Sequence, residues 1–306
     1  MGMKVIVGAS TFADADPAPL ELLQKHGIEV VRNPYGRRMD AEEITALLHD
    51  ADGLLAGLEP LHAEVLGQAP ILKALARIGI GMDNVDVAFA EARGIRVSNT
   101  PDGPTQAVAE LALAALMSLL RNLTQANEAL HRGEWDKRIG IGLQGLKVLL
   151  VGYGRIGARF GGMLHGLGAE VMACDPGVAD RAFAPVRRVT FDQGLAEAQV
   201  ISLHASGNEV ILDQAAFDRI DHPVMLLNCA RAGLIEERAL LSALHNGKVT
   251  KAWLDVFWAE PYTGPLQEFP QVLMTPHVSS YTRQCRLDME MQAVRNLLRD
   301  LRVGNA

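Results

Sequence analysis

The chain predicts an α/β protein built on two parallel sheets, and three observations carry that prediction. Short β-like runs alternate with helical patterns from residue 3 to about residue 99, a second such series begins at residue 146, and a long apolar helical pattern at 104 to 131 separates the two. Strands that alternate with helices call for a parallel sheet covered on both faces. With 306 residues, 49% of them hydrophobic and 21% charged, the chain can bury two cores of ordinary domain size.

In the first half KVIVGA, IEVVRN, GLLAG, LKALARIG and IRVSN read as strands. PLELLQKHG, AEEITALLHDA, HAEVLGQA and VDVAFAEARG read as the helices between them, and Gly27 and Gly94 stand where left-handed caps would end two of these. The run PTQAVAELALAALMSLLRNLTQANEALH reads as one long helix after Pro104, either a core helix joining the halves or an arm shared with a second subunit. LKVLLVGYG, EVMACD, QVISLHA, VMLLNCA, KAWLDVF and VLMTPH supply the second strand series. The closing pattern TRQCRLDMEMQAVRNLLRDLRV is amphipathic and has no later strand to serve, so it is expected to cross back to the first half. The expected domains are 1–99 with 283–306, and 100–282 including the long helix.

A formal charge of −7 argues against a broad nucleic-acid or anionic-membrane surface and leaves small molecules as the expected partners. No apolar stretch approaches membrane-spanning length, and MGMKVIVGAS lacks the pattern of a secretory signal. Cys174, Cys229 and Cys285 are widely spaced with no C-x-x-C pair, which suits a reducing compartment and offers no metal framework. The expectation is a cytoplasmic protein without metal, nucleic acid or membrane.

VGYGRIG matches G-x-G-x-x-G at Gly152, Gly154 and Gly157. The pattern alone is weak, but here the strand KVLLV precedes it, a helical pattern follows, and the next strand ends in Asp175. That context makes it the fingerprint of a Rossmann dinucleotide-binding domain: a tight turn, a close backbone approach to pyrophosphate, and close helix packing. Asp175 lies 18 residues after Gly157, where a carboxylate accepts from both ribose hydroxyls and repels a 2′-phosphate, so NAD is the expected cofactor rather than NADP. Farther on, Pro276 stops the short strand VLMT and leaves His277 at its mouth.

Three more stretches carry a resemblance. NCARAGLIEERAL resembles the N-x-x-R-G-x-x-V-D-E-x-A-L signature of the D-2-hydroxyacid dehydrogenases, KAWLDVFWAEPY resembles their G-A-x-x-D-V-F-x-x-E-P, and TPHVSSYT their T-P-H-I-G-x-x-T. RIGIGMDNVD and GIRVSNTP match landmarks of the family's substrate domain, in order, from about residue 50 to the final helix. The resemblance implies a flavodoxin-like substrate domain beside the Rossmann domain and a catalytic set of Arg231, Glu260 and His277. The residue types suit those roles. A guanidinium fork holds a carboxylate and polarises the adjacent carbonyl, and an imidazole paired with a carboxylate moves a proton near neutral pH.

The family further implies cofactor contacts from Arg155 and Ile156, from His204, from the backbone at Cys229 and Ala230, and from Asp255 against the nicotinamide carboxamide. His204 reads equally as a structural residue after its strand. Backbone N–H groups of Ile80 and Gly81 would meet the substrate carboxylate, with opening and closing of the domains excluding water. A homodimer through the long helix after Pro104 is the family-level expectation.

Departures from the pattern are Ala232 for glycine, Trp253 at a place where small residues are common, and Ser279 and Ser280 where glycine often stands. Trp253 either reshapes the packing beneath the nicotinamide strand or fills core volume. EPYTGPL and RLDMEMQAVRNLL are similar to the phosphoglycerate-dehydrogenase-like branch, which makes a 3-phosphoglycerate-like acid a candidate substrate. GLLAGLEPLHAEVL, however, carries no Arg or Lys to surround a phosphate, and feedback control through a C-terminal regulatory domain is not expected. The alternatives are a phosphite or phosphonate-type oxyanion dehydrogenase, and an NAD-sensing, corepressor-like binding protein.

Overall fold

In the first unit, strands β1 (Lys4–Val7), β2 (Glu29–Arg32), β3 (Gly53–Ala56), β4 (Ala74–Arg77) and β5 (Arg96–Ser98) pair in parallel in the order β2-β1-β3-β4-β5. β3 and β4 are buried along their whole length, as strands covered on both faces must be. Helices α1 (Ala18–Lys25), α2 (Ala41–Leu48), α3 (Ala63–Gly67) and α4 (Val87–Ala92) connect the strands. Asp40 opens α2 with a reciprocal capping box to Glu43, and Asp86 caps α4 through the Phe89 amide. This is the doubly wound order in which ligands bind beyond the carboxyl ends of the strands, beside the β1/β3 switch point.

The structure is a computed structural model that describes residues 2–179, 183 and 185–303. The chain divides into two compact units, Met1–Pro104 with Ser280–Ala306, and Thr105–Ser279. The last helix, α11 (Arg283–Leu301), does return to the first unit. Gly53 makes room for it: a Cβ there would lie 3.1 Å from Leu301 and 3.3 Å from Leu297.

In the second unit, β6 (Lys147–Val151), β7 (Glu170–Cys174), β8 (Arg187–Arg188), β9 (Val200–Leu203), β10 (Val224–Asn228), β11 (Val249–Leu254) and β12 (Val272–Met274) form one parallel sheet, ordered β12-β11-β10-β9-β6-β7-β8. Helix α7 (Arg155–Gly166) follows β6, α8 (Phe191–Glu197) precedes β9, α9 (Gln214–Asp218) precedes β10, and α10 (Glu237–His245) leads into β11. Two apolar clusters fill the faces of this sheet, one holding Trp253, Phe160 and Leu150, the other Phe217, Leu226 and Leu254. β8 has no counterpart among the six expected strands. It is two arginines on the sheet edge, too short and too polar to leave a periodic signal.

The long helix expected over 104–131 is two helices, α5 (Pro104–Arg121) and α6 (Leu123–His131), bent by 63°. Asn122 sits between them at φ 53, the left-handed conformation that asparagine tolerates better than most residues. The bend is secured from β11. Lys251 Nζ donates to the Leu119 carbonyl, at the end of α5, and to the Asn122 side-chain Oδ1, both at 2.6 Å. Burial lowers the Lys251 pKa there. Among the described residues no single helix is long and apolar enough to cross a membrane.

Candidate active site

β6 delivers the chain into the glycine turn. Gly152 has φ 96, and a Cβ on it would lie 2.4 Å from the Ala205 amide nitrogen, so the turn and the loop after β9 can touch only if this residue is glycine. A Cβ on Gly157, in the first turn of α7, would lie 2.3 Å from the Gly152 carbonyl oxygen. Gly154 differs: a Cβ there would meet nothing within 4 Å, so its backbone faces open space at the N-terminus of α7. Arg155 and Ile156 form the start of that helix, whose first amides have no intrahelical acceptors. These features suit a pyrophosphate.

At the end of β7, Asp175 Oδ2 accepts from the Tyr153 amide at 2.7 Å and Oδ1 from the Gly177 amide at 2.8 Å. Each oxygen keeps a lone pair for a ligand. The carboxylate lines a cleft of about 1230 Å³ together with Gly152, Pro176, Arg188, Phe191 and Ser206. Position, chemistry and volume fit the adenosine half of a dinucleotide.

His204 follows the structural reading. The residue is partly exposed as a whole, but its ring lies against Phe160 at 5.3 Å between centroids, with Nε2 2.9 Å from Ser202 Oγ and Nδ1 3.9 Å from Cys229 Sγ. Burial pushes its pKa down to about 4 and pushes the Cys229 thiol up to about 12. A neutral imidazole therefore supports the glycine turn from below, while the neighbouring Ala205 and Ser206 line the cleft.

Three adjacent strands present the expected catalytic residues. Asn228, Leu254 and Met274, the last residues of β10, β11 and β12, stand in register, so the loops that follow leave one edge of the sheet side by side. Parallel neighbours lie roughly 4.8 Å apart. After β10, Asn228 folds the loop back on itself: its Nδ2 donates to the Arg231 carbonyl at 2.8 Å and its Oδ1 accepts from the Ala230 amide at 3.0 Å. The Ala230 amide is thereby bonded inside the loop, and Arg231 Nη1 donates to the Ala230 carbonyl at 2.7 Å. Asn228, the first residue of the N-x-x-R stretch, was given no role from the sequence; it shapes the loop that carries Arg231.

After β11, Glu260 Oε1 accepts from the Phe257 amide at 3.1 Å, which aims Oε2 at His277 Nδ1, 2.9 Å away. After β12, His277 has φ 54, and its amide donates to the Thr275 carbonyl at 2.9 Å. A left-handed residue other than glycine costs about 1–2 kcal/mol and persists only where its surroundings enforce it. With Nδ1 donating to the carboxylate, Nε2 is the nitrogen available to a ligand.

Asp255, expected against a nicotinamide carboxamide, is fully buried and accepts four bonds from the His277 loop. Oδ1 receives Thr275 Oγ1 at 2.5 Å and the Val278 amide at 3.0 Å; Oδ2 receives the Ser279 amide at 2.9 Å and Ser279 Oγ at 2.5 Å. Trp253 does more than fill volume, since its indole N–H donates to Thr275 Oγ1 at 3.0 Å. In the first unit, Ile80 and Gly81 lie on the loop after β4, where the Ile80 carbonyl accepts from Asn99 Nδ2 at 2.8 Å. Among the described residues nothing accepts from the Ile80 and Gly81 amides.

Residues 113–279 match the family model described as D-isomer specific 2-hydroxyacid dehydrogenase, NAD binding domain. The chain belongs to this family. It is 31% identical to the D-3-phosphoglycerate dehydrogenase of Archaeoglobus fulgidus over 99% of its own length, but spans only 59% of that relative. It is 30% identical to the hydroxypyruvate reductase of Thermotoga maritima, over 92% of this chain and 93% of the reductase. The solved structure of the TT0316 protein from Thermus thermophilus superposes with a TM-score of 0.89 at 32% identity, covering 98% of this chain and 97% of that one. The cofactor of the family's domain is NAD, and the glycine turn and Asp175 cleft are the parts of this chain that fit it.

The buried His204 has a measurable consequence. Its folded form binds a proton less readily than the unfolded chain, so the stability it allows is complete above the ordinary pKa of 6.5 and is lost as pH falls toward about 4. Urea unfolding should place the protein about 2 kcal/mol lower at pH 5 than at pH 7 on this account. His204→Asn should lack that part of the pH dependence; an unchanged slope in the variant would remove His204 as its cause.

Proposed function

We propose that this dehydrogenase-family chain interconverts a D-2-hydroxy acid and its 2-keto acid with NAD, His277 and Glu260 acting as the acid/base pair and Arg231 holding the substrate carboxylate. The observation that carries the reading is the 2.9 Å contact between Glu260 Oε2 and His277 Nδ1 at the carboxyl edge of β11 and β12. Bound NAD supplies the hydride acceptor or donor. Every other part of the reaction falls to side chains. Glu260 fixes the orientation of the ring and the tautomer in which Nδ1 carries its proton. His277 Nε2 then takes a proton from the C2 hydroxyl during oxidation and returns it during reduction. Arg231 meets the carboxylate with paired donors and polarises the C2 oxygen.

Asp175 supports NAD over NADP, because a 2′-phosphate would face a carboxylate already anchored by two amides. A 3-phosphoglycerate-like acid and hydroxypyruvate are the substrates suggested by the names of the relatives. A homodimer through the helical stretch after Pro104 is also proposed. Ala109, Ala112, Leu116 and Leu119 of α5 are core residues, whereas α6 and the residues just beyond it carry exposed apolar groups, among them Trp135 at 79% and Ile139 at 101% exposure.

A panel of phosphorylated, branched and dicarboxylic 2-keto acids with NADH or NADPH tests the reading. Turnover should favour NADH, a preference that Asp175→Ala erases, and His277→Asn should cut kcat on the order of 100-fold or more. Arg231→Ala should damage both KM and kcat, and Glu260→Gln should chiefly lower kcat. Near-normal turnover in His277→Asn, or no turnover with any acid, contradicts the proposal. Light scattering should find the wild type at twice the chain mass and the Trp135→Asp/Ile139→Asp double variant at the single mass; a wild-type monomer would refute the dimer.

A further inference from the structure

Ser279 stands where the family pattern often has glycine, and its hydroxyl is placed on the carboxylate expected to read the cofactor. A carboxylate offers about four lone-pair sites. Asp255 has four donors, all from residues 275–279, and no exposed surface. Two of them fall on Oδ2, the Ser279 amide and the Ser279 hydroxyl. On Oδ1, the Thr275 hydroxyl cannot turn elsewhere without giving up its geometry, because its oxygen already accepts from the Trp253 indole. A ligand N–H could reach this carboxylate only by displacing a buried donor, which would exchange one hydrogen bond for another and strand the displaced group without a partner.

We propose that Ser279 occupies the acceptor that a nicotinamide carboxamide would otherwise use, so that Asp255 in this chain is a positioning residue for His277 and not a reader of the carboxamide. The positioning half rests on the proposed role of His277 as acid and base; the carboxamide half does not. The clamp encloses His277 from both sides. Thr275 precedes it, Val278 and Ser279 follow it, and all three are tied to one buried carboxylate that β11 holds in place. A left-handed histidine between such fixed points has little freedom to swing away from Glu260.

The test compares NAD with its 3-acetylpyridine analogue, which replaces the carboxamide by a methyl ketone and so lacks the amide donor. Calorimetric titration of wild type, Ser279→Gly and Ser279→Ala gives the ratio of the two dissociation constants for each protein. Removing the hydroxyl vacates a lone pair on Oδ2, so both variants should shift this ratio toward NAD by about fivefold, the worth of one hydrogen bond. An unchanged ratio, or a shift toward the analogue, overturns the assignment of Ser279. The Ala variant decides if the Gly variant does not fold.

The same variants report on positioning through kinetics. With the best keto acid, both should lower kcat more than they raise KM for the acid, and with 4-deuterated NADH both should show a larger primary isotope effect, because the chemical step becomes slower relative to release. Equal losses in kcat and thermal stability with an unaltered isotope effect would reduce Ser279 to a packing residue. If no acid is turned over, the proposed activity fails while the binding ratio still decides what Ser279 does.

Discussion

Asp255 is the group on which the rest of the second unit's site depends. Its carboxylate lies fully buried beyond the end of β11, an arrangement that is costly unless every lone pair is satisfied. The satisfaction comes entirely from the segment that carries His277, so the penalty of burial becomes a force that holds the loop in one shape. Within that shape His277 takes a left-handed backbone that it would not adopt alone, and the ring then meets Glu260. Glu260 is itself fixed by the Phe257 amide from the loop after the same strand. One buried carboxylate thus links β11 and β12 and, through the His277 loop, the pair formed by Glu260 and His277.

The parallel sheet explains why residues 46 positions apart in sequence can serve one reaction, as Arg231 and His277 are proposed to do. Every strand of a parallel sheet ends on the same edge, and in the second unit that edge carries the glycine turn after β6, Asp175 after β7, the Asn228–Arg231 loop after β10, Glu260 after β11 and His277 after β12. Such an edge collects chemistry from distant segments without long loops. The core behind it is apolar and closely packed around Trp253, which keeps the registers of β10, β11 and β12 from slipping.

Much of this was legible in residues. The alternation of strands and helices yielded both sheets, and G-x-G-x-x-G with its flanking strands yielded the turn, because those features are local and periodic. The residues proposed for catalysis, Arg231, Glu260 and His277, were singled out through resemblance, each lying in a separate motif. What escaped has a common cause. The break at Asn122 turns on one backbone conformation inside an unbroken helical pattern, and β8 exists only as the edge partner of β7. The roles of Asn228, Thr275 and Ser279 depend on who occupies which lone pair, a count that requires positions in space. Asp255 was found in the motif, but its partners were not.

A crystal structure of the protein with NAD and a 2-keto acid identified by the activity panel is the most direct measurement of the central claim. The account predicts His277 Nε2 at about 2.6–3.2 Å from the C2 oxygen, with Nδ1 still bound to Glu260. An imidazole turned away from that oxygen, or released from Glu260 while the acid is bound, would contradict it.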